Sequence, residues 1–166
     1  MREKRSVRLL MDGAVLIAIF LGVNAWQSRG HWRGEAPAFE LRVFAGGEER
    51  VSNTTLMGKP TMLVFWAPWC GVCKADSPAV SRVKSIVGDR ANVVSIASEY
   101  ESLRDVHRYI DDVGVDYPVL LGGKQTARDF QVRAFPTVFF LDSDGNIDGS
   151  VVGYTTTAGM LARLLL

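Results

Sequence analysis

The chain has 166 residues, 48% hydrophobic and 22% charged, with a formal net charge of +1. That is one domain's worth of chain, with a single core and a short appendage, and it excludes a disordered or fibrous protein. Nothing in the near-neutral balance points to nucleic acid or to a strongly acidic partner. Two cysteines, three positions apart, exclude a scaffold stapled by several disulfides.

Met1 to Arg8 carries Arg2, Lys4, Arg5 and Arg8 against one acid, Glu3, and an apolar run follows from Leu9 to Trp26. As a helix that run is about 27 Å long, between a signal-peptide core and a full membrane span. The basic flank predicts a cytoplasmic start and an exported remainder. The expected organisation is a cytoplasmic segment 1–8, a hydrophobic transmembrane signal-anchor helix 9–26, a linker 27–35 and a folded domain 36–166. Asp12 then lies near the cytoplasmic end, and Trp26 and Trp32 at the far interface. Cleavage after Ala25 is a second reading, since Val23 and Ala25 are small enough for a signal peptidase. A buried helix of the domain is a third.

In the domain, Phe39–Val43 alternates as a first strand and Gly46–Gly47 follows as a turn. The apolar run Thr61–Ala67 predicts a strand buried on both faces. After Cys70, the residues Ala75, Val80, Val83 and Val87 predict a helix, with a kink at Pro78. Asn92–Ala97 is the next strand, and Ser102–Val113 a helix whose apolar face is Leu103, Val106 and Ile110. Asp116–Leu121 reads as extended, and a short helix runs over Gln125–Phe130. Pro136–Asp142, a turn at Ser143–Asn146 and Ile147–Val152 make a hairpin, before a closing helix 157–166. Strands alternating with helices, then a hairpin and a last helix, give an α/β fold with a mixed sheet flanked by helices.

The segment Trp66-Ala67-Pro68-Trp69-Cys70-Gly71-Val72-Cys73 puts both cysteines at the junction of a buried strand and a helix. Cys70 then sits where unpaired N–H groups and the helix dipole favour an anion, so its thiolate is the expected nucleophile. Cys73, more enclosed on the same face, is the expected resolving thiol. Zinc needs four ligands, and the chain adds only His31 in the linker and His107 on an outer helix face. An inert bridge over three residues constrains the unfolded chain little. No cofactor and no metal are expected.

The stretch Leu63–Pro78 resembles the active-site segment of thioredoxins, and Arg133–Gly149 resembles that family's cis-proline strand, hairpin turn and return strand. The resemblance spans most of 36–166 and is nearest to the membrane-anchored, periplasmic TlpA/ResA-like proteins, which include cytochrome c maturation reductases and suppressor-of-copper-sensitivity proteins. It implies a thioredoxin fold and a thiol–disulfide oxidoreductase, single-pass in a bacterial inner membrane with its catalytic domain in the periplasm. It further implies exported proteins with thiols or disulfides as substrates and a membrane electron-transfer partner. By the match, Pro136 is the cis-proline that aligns substrate and Phe135 precedes it. Trp69, directly before Cys70, is placed to shield the disulfide and offer substrate an apolar surface. Val64 stands where thioredoxins carry a buried aspartate, so the acid serving Cys73 is expected at Glu99, its carboxyl raised by burial.

The dipeptide Gly71–Val72 matches neither the Gly-Pro of reducing thioredoxins nor the Pro-His of a strong oxidant, which leaves direction open. A reductase is the first reading. An oxidase or isomerase with the same site, or a copper-handling module of the same fold, are the alternatives. A peroxiredoxin is disfavoured, because Ala67 occupies the threonine position of the Thr-x-x-Cys signature.

Overall fold

The computed structural model describes residues 33–44 and 49–165. The basic segment 1–8, the signal-anchor 9–26, Trp32 and the Gly46–Gly47 turn lie outside the described residues. Among the described residues no helix is long and apolar enough to cross a membrane. In chain order the elements are β1 (Gly34–Glu35), β2 (Glu40–Arg42), β3 (Arg50–Ser52), α1 (Asn53–Leu56), β4 (Thr61–Trp66) and α2 (Gly71–Val87). A 3-10 turn (Gly88–Arg90) leads to β5 (Asn92–Ala97), α3 (Leu103–Val113), β6 (Val119–Leu121) and α4 (Gly123–Asp129). The chain closes with β7 (Thr137–Leu141), β8 (Asn146–Val152) and α5 (Thr157–Leu165).

The main sheet has the order β1-β8-β7-β4-β5-β6. β4, β5 and β6 run parallel, and β7, β8 and β1 pair antiparallel beyond β4. All six residues of β4 are buried, which is why it reads as an unbroken apolar run. Its side chains alternate between two cores. Met62 and Val64 join Val80, Val83, Val138 and Met160 under α2 and α5. Leu63 and Phe65 join Ile96, Phe130, Phe139 and Ile147 on the opposite face. There the ring of Phe65 lies 5.0 Å from Phe130 and 5.6 Å from Phe139. Replacing Phe65, which is fully buried, by alanine is expected to cost about 3–5 kcal/mol, read from the denaturant midpoint of unfolding.

Gly34–Glu35, at the end of the expected linker, pairs with Asn146 and Ile147 as an edge of the sheet. A small antiparallel hairpin of β2 and β3, followed by α1, was not anticipated beyond its first strand. Asn53 ties it down: its Oδ1 accepts the Phe39 N–H at 2.7 Å and its Nδ2 donates to the Pro37 carbonyl at 3.0 Å. The inner face of α3 is centred on Val106 and Tyr109, whereas Leu103 is exposed. The stacking of Tyr109 on Trp66 at 3.9 Å sets that rotation. α2 runs through Pro78 to Val87 and ends at Gly88, whose φ of +53° suits glycine.

Candidate functional site

β4 and β5 end side by side, with the Ser98 N–H donating to the Trp66 carbonyl at 2.8 Å. Beyond these carboxyl ends, where β4 lies between a parallel and an antiparallel neighbour, an open α/β sheet leaves a crevice. The chain leaves β4 through Ala67-Pro68-Trp69, and the Cys70 N–H returns to the Ala67 carbonyl at 3.0 Å. Cys70 is the N-cap of α2: its sulfur accepts the Cys73 N–H at 3.1 Å. The two cysteines form a disulfide with Cα atoms 5.3 Å apart. The expected difference in enclosure is slight in this state, at 5% exposure for Cys70 and 3% for Cys73. What differs is the direction each faces. Cys70 is flanked by the exposed side chains of Trp69 and Val72, while Cys73 lines an internal cavity.

The structure brings the sequence-derived residues together around this pair. The Phe135–Pro136 peptide bond is cis, and Pro136 lines the same internal cavity as Cys73. Phe135 is half-buried and meets the edge of Trp69 at 5.8 Å. Trp69 is 66% exposed, and its indole N–H donates to the Glu99 carbonyl at 3.2 Å. Glu99 takes a left-handed φ of +46°, a conformation that costs a non-glycine residue on the order of 1 kcal/mol. Trp69 and Glu99 border a groove of about 480 Å³, a size that suits a bound side chain or short peptide segment. Lys74 on its wall pairs with Asp112 at 2.9 Å.

One expectation about this site fails. Glu99 lies on the rim with its side chain exposed, so the burial expected of it is absent. The enclosed acid is Asp76, one helical turn after Cys73 and only 1% exposed. Burial pushes its carboxyl up to about 6 from an ordinary 3.8, partly offset by the Thr155 N–H. That N–H donates to Oδ1 at 3.1 Å, while Oδ2 has no hydrogen-bond partner. Asp76, Cys73, Trp66, Tyr117 and Pro136 line one cavity of about 10 Å³, roughly the room of a single water. The Trp66 indole N–H is buried there without a partner. The sequence signal for Asp76 was its spacing: residues 73, 76, 80, 83 and 87 share one face of α2 and all are buried. Ala75, which the apolar spacing puts on that face, is exposed.

This arrangement can carry out thiol–disulfide exchange: a sulfur held at a helix N-terminus, a partner sulfur within bonding reach, and an enclosed carboxyl beside the second. Comparison with known proteins agrees. Residues 33–150 match the AhpC/TSA family. The chain is 30% identical to the thiol-disulfide oxidoreductase ResA of Bacillus subtilis over 169 residues, covering 97% of this chain and 92% of the relative. It is 29% identical to the thioredoxin-like protein YneN of the same organism over 161 residues, covering 90% and 94%. Among solved structures, a thiol:disulfide interchange protein of the thioredoxin family from Chlorobium tepidum superposes with a TM-score of 0.68 at 26% identity, over 80% of this chain and 94% of that one. The chain therefore belongs to the AhpC/TSA family with a thioredoxin fold, and it is a thiol–disulfide oxidoreductase whose redox pair is Cys70–Cys73.

Proposed function

We propose that the enzyme works as a reductase of exported proteins on the periplasmic face of a bacterial inner membrane, held there by segment 9–26 and recharged by a membrane electron-transfer partner. The Cys70 thiolate attacks a substrate disulfide, one substrate sulfur leaves as a thiolate, and a mixed disulfide forms. The Cys73 thiolate then attacks Cys70, the second substrate sulfur leaves, and the Cys70–Cys73 disulfide closes. Two electrons and two protons from the partner restore the dithiol. Pro136, Phe135 and Trp69 align the incoming chain. Asp76 takes the proton from Cys73, and Glu99 on the rim links that proton to solvent.

The observation that carries the reducing direction is the carboxylate of Asp76 enclosed beside Cys73. A negative charge there opposes a thiolate, destabilises the reduced pair relative to the disulfide and lowers the reduction potential. Anchoring is supported by the basic flank and apolar run of the N-terminus.

One feature favours the oxidising alternative. The helix N-terminus and the Cys73 N–H both stabilise a Cys70 thiolate, which raises the potential. Equilibration of the full chain with dithiothreitol and glutathione buffers decides between the two effects. The expected potential is below about −240 mV; a value near about −120 mV, typical of a strong oxidant, would overturn the reductase reading.

A further inference from the structure

The groove beside Trp69 and the cavity beside Cys73 are separate spaces, and one side chain stands between them. The groove, about 480 Å³, is bordered by the exposed residues Trp69, Glu101, Arg108 and Asp112. The cavity, about 10 Å³, is lined by Asp76 and Cys73. Of the described residues that line the cavity, Tyr109 alone also lines the groove. Tyr109 is 2% exposed, and from within its ring is stacked on Trp66 at 3.9 Å and 20°. On the groove side Lys74, paired with Asp112 at 2.9 Å, places Nζ 6.0 Å from the ring centre.

The titratable groups around Asp76 are Cys73 on its own helix, Tyr109 from α3 and Tyr117 from the segment before β6. Burial holds both phenols above the ordinary 10, and Asp116 adds to the rise at Tyr117. β4, the cis-proline and the segment before α5 present Val64, Trp66, Pro136 and Thr155, which carry no charge. With the disulfide closed, Asp76 is therefore the group of this cavity that titrates below the phenols.

We propose that Tyr109 is a positioning residue for the resolving step: its ring is the partition that keeps groove water from Asp76 and so keeps that carboxyl a proton acceptor for Cys73. This rests on the reading of Asp76 as the group that takes the Cys73 proton. Loss of the ring joins cavity to groove. Water then reaches Asp76 Oδ2, which has no hydrogen-bond partner, and hydration favours the ionised carboxylate. The partition needs the ring and not the hydroxyl, so phenylalanine serves as well as tyrosine.

The test follows the Asp76 side-chain carboxyl carbon by NMR through a pH titration of the full chain in its disulfide form. Loss of the resonance in Asp76→Asn assigns it. The wild type and Tyr109→Phe are expected to titrate near 6, and Tyr109→Ala at least about one pH unit lower. Exchange of the Trp66 indole hydrogen, buried without a partner, is the second reading. It is expected to be at least about a hundredfold slower in the folded wild type than in the unfolded chain. Should Tyr109→Ala fail to fold, Tyr109→Leu, which leaves part of the space open, is expected to speed that exchange and lower the carboxyl in the same sense. A carboxyl that stays near 6 without the ring, or unprotected indole exchange in the wild type, would overturn the partition and leave Asp76 its role. A wild-type carboxyl titrating near 3.8 would instead overturn Asp76 as the proton acceptor, and the proposal with it.

Discussion

Cys70→Ala is expected to lose all catalysed exchange, whereas Cys73→Ala keeps the first step and accumulates mixed disulfides with its substrates. The asymmetry follows from where the two sulfurs sit, since their exposures differ little. Cys70 caps α2, so the terminal N–H groups, including that of Cys73 at 3.1 Å, stabilise its anion. Trp69 and Val72 stand exposed beside it as a landing surface. Cys73 faces inward to a cavity it shares with Asp76, where a substrate sulfur has no route and a thiolate forms at a cost. Without Cys73 the mixed disulfide on Cys70 has no internal nucleophile within reach, and it waits for an external thiol. Non-reducing electrophoresis and mass spectrometry of the trapped adduct read this directly. Undiminished turnover in the Cys70 variant, or equal trapping through Cys73 in that variant, would sink the mechanism.

The strand–helix order and the place of the redox pair were legible because they rest on strong local signals. The unbroken apolar run of β4 admits burial on both faces, and the cysteine spacing at its end fits the first turn of a helix. Trp69 was legible from its place before Cys70, and Phe135 and Pro136 through resemblance; Trp69 meets Phe135 edge-on, and Pro136 lines a cavity with Cys73. What escaped was set by tertiary contact. The phase of α2 was taken from Ala75, an apolar residue that lies outside, and this hid an aspartate on the inner face. A charged residue at a core position breaks the binary pattern, and such breaks concentrate at functional sites. The exposed place of Glu99 depends on the left-handed turn after β5, which a glutamate does not advertise in sequence. The alternation of Phe39–Val43 marked β2, but its partner β3 is three residues long and at most half-buried, so it carried no period to read.

Asp76→Asn is expected to change both the pH dependence of stability and the reduction potential, in directions a mere packing defect would not reproduce. In the disulfide form the folded carboxyl titrates at about 6, against 3.8 when unperturbed. A raised acid means that the native state holds its proton more tightly than the unfolded chain does. Stability is therefore lost as pH rises from about 4 to about 6, through ionisation of a group that burial resists. The 3.8-to-6 difference corresponds to on the order of 3 kcal/mol. The gap in stability between variant and parent should therefore move toward the variant by that amount between pH 4 and pH 7.5. Other carboxylates are common to both proteins and cancel in the comparison. Asparagine keeps an acceptor for the Thr155 N–H, so the tether at 3.1 Å is not the variable. The potential should rise as well, because removing the charge beside Cys73 stabilises the reduced pair; about 30 mV accompanies each tenfold change in the equilibrium. Urea unfolding at the two pH values, beside redox equilibration, tests both. A stability gap that is constant with pH would mean that the carboxyl titrates alike in the folded and unfolded chains and that burial does not raise it. A gap still widening at pH 7.5 would mean that Asp76 is neutral there, and a charge beside Cys73 could not then be the source of a low potential.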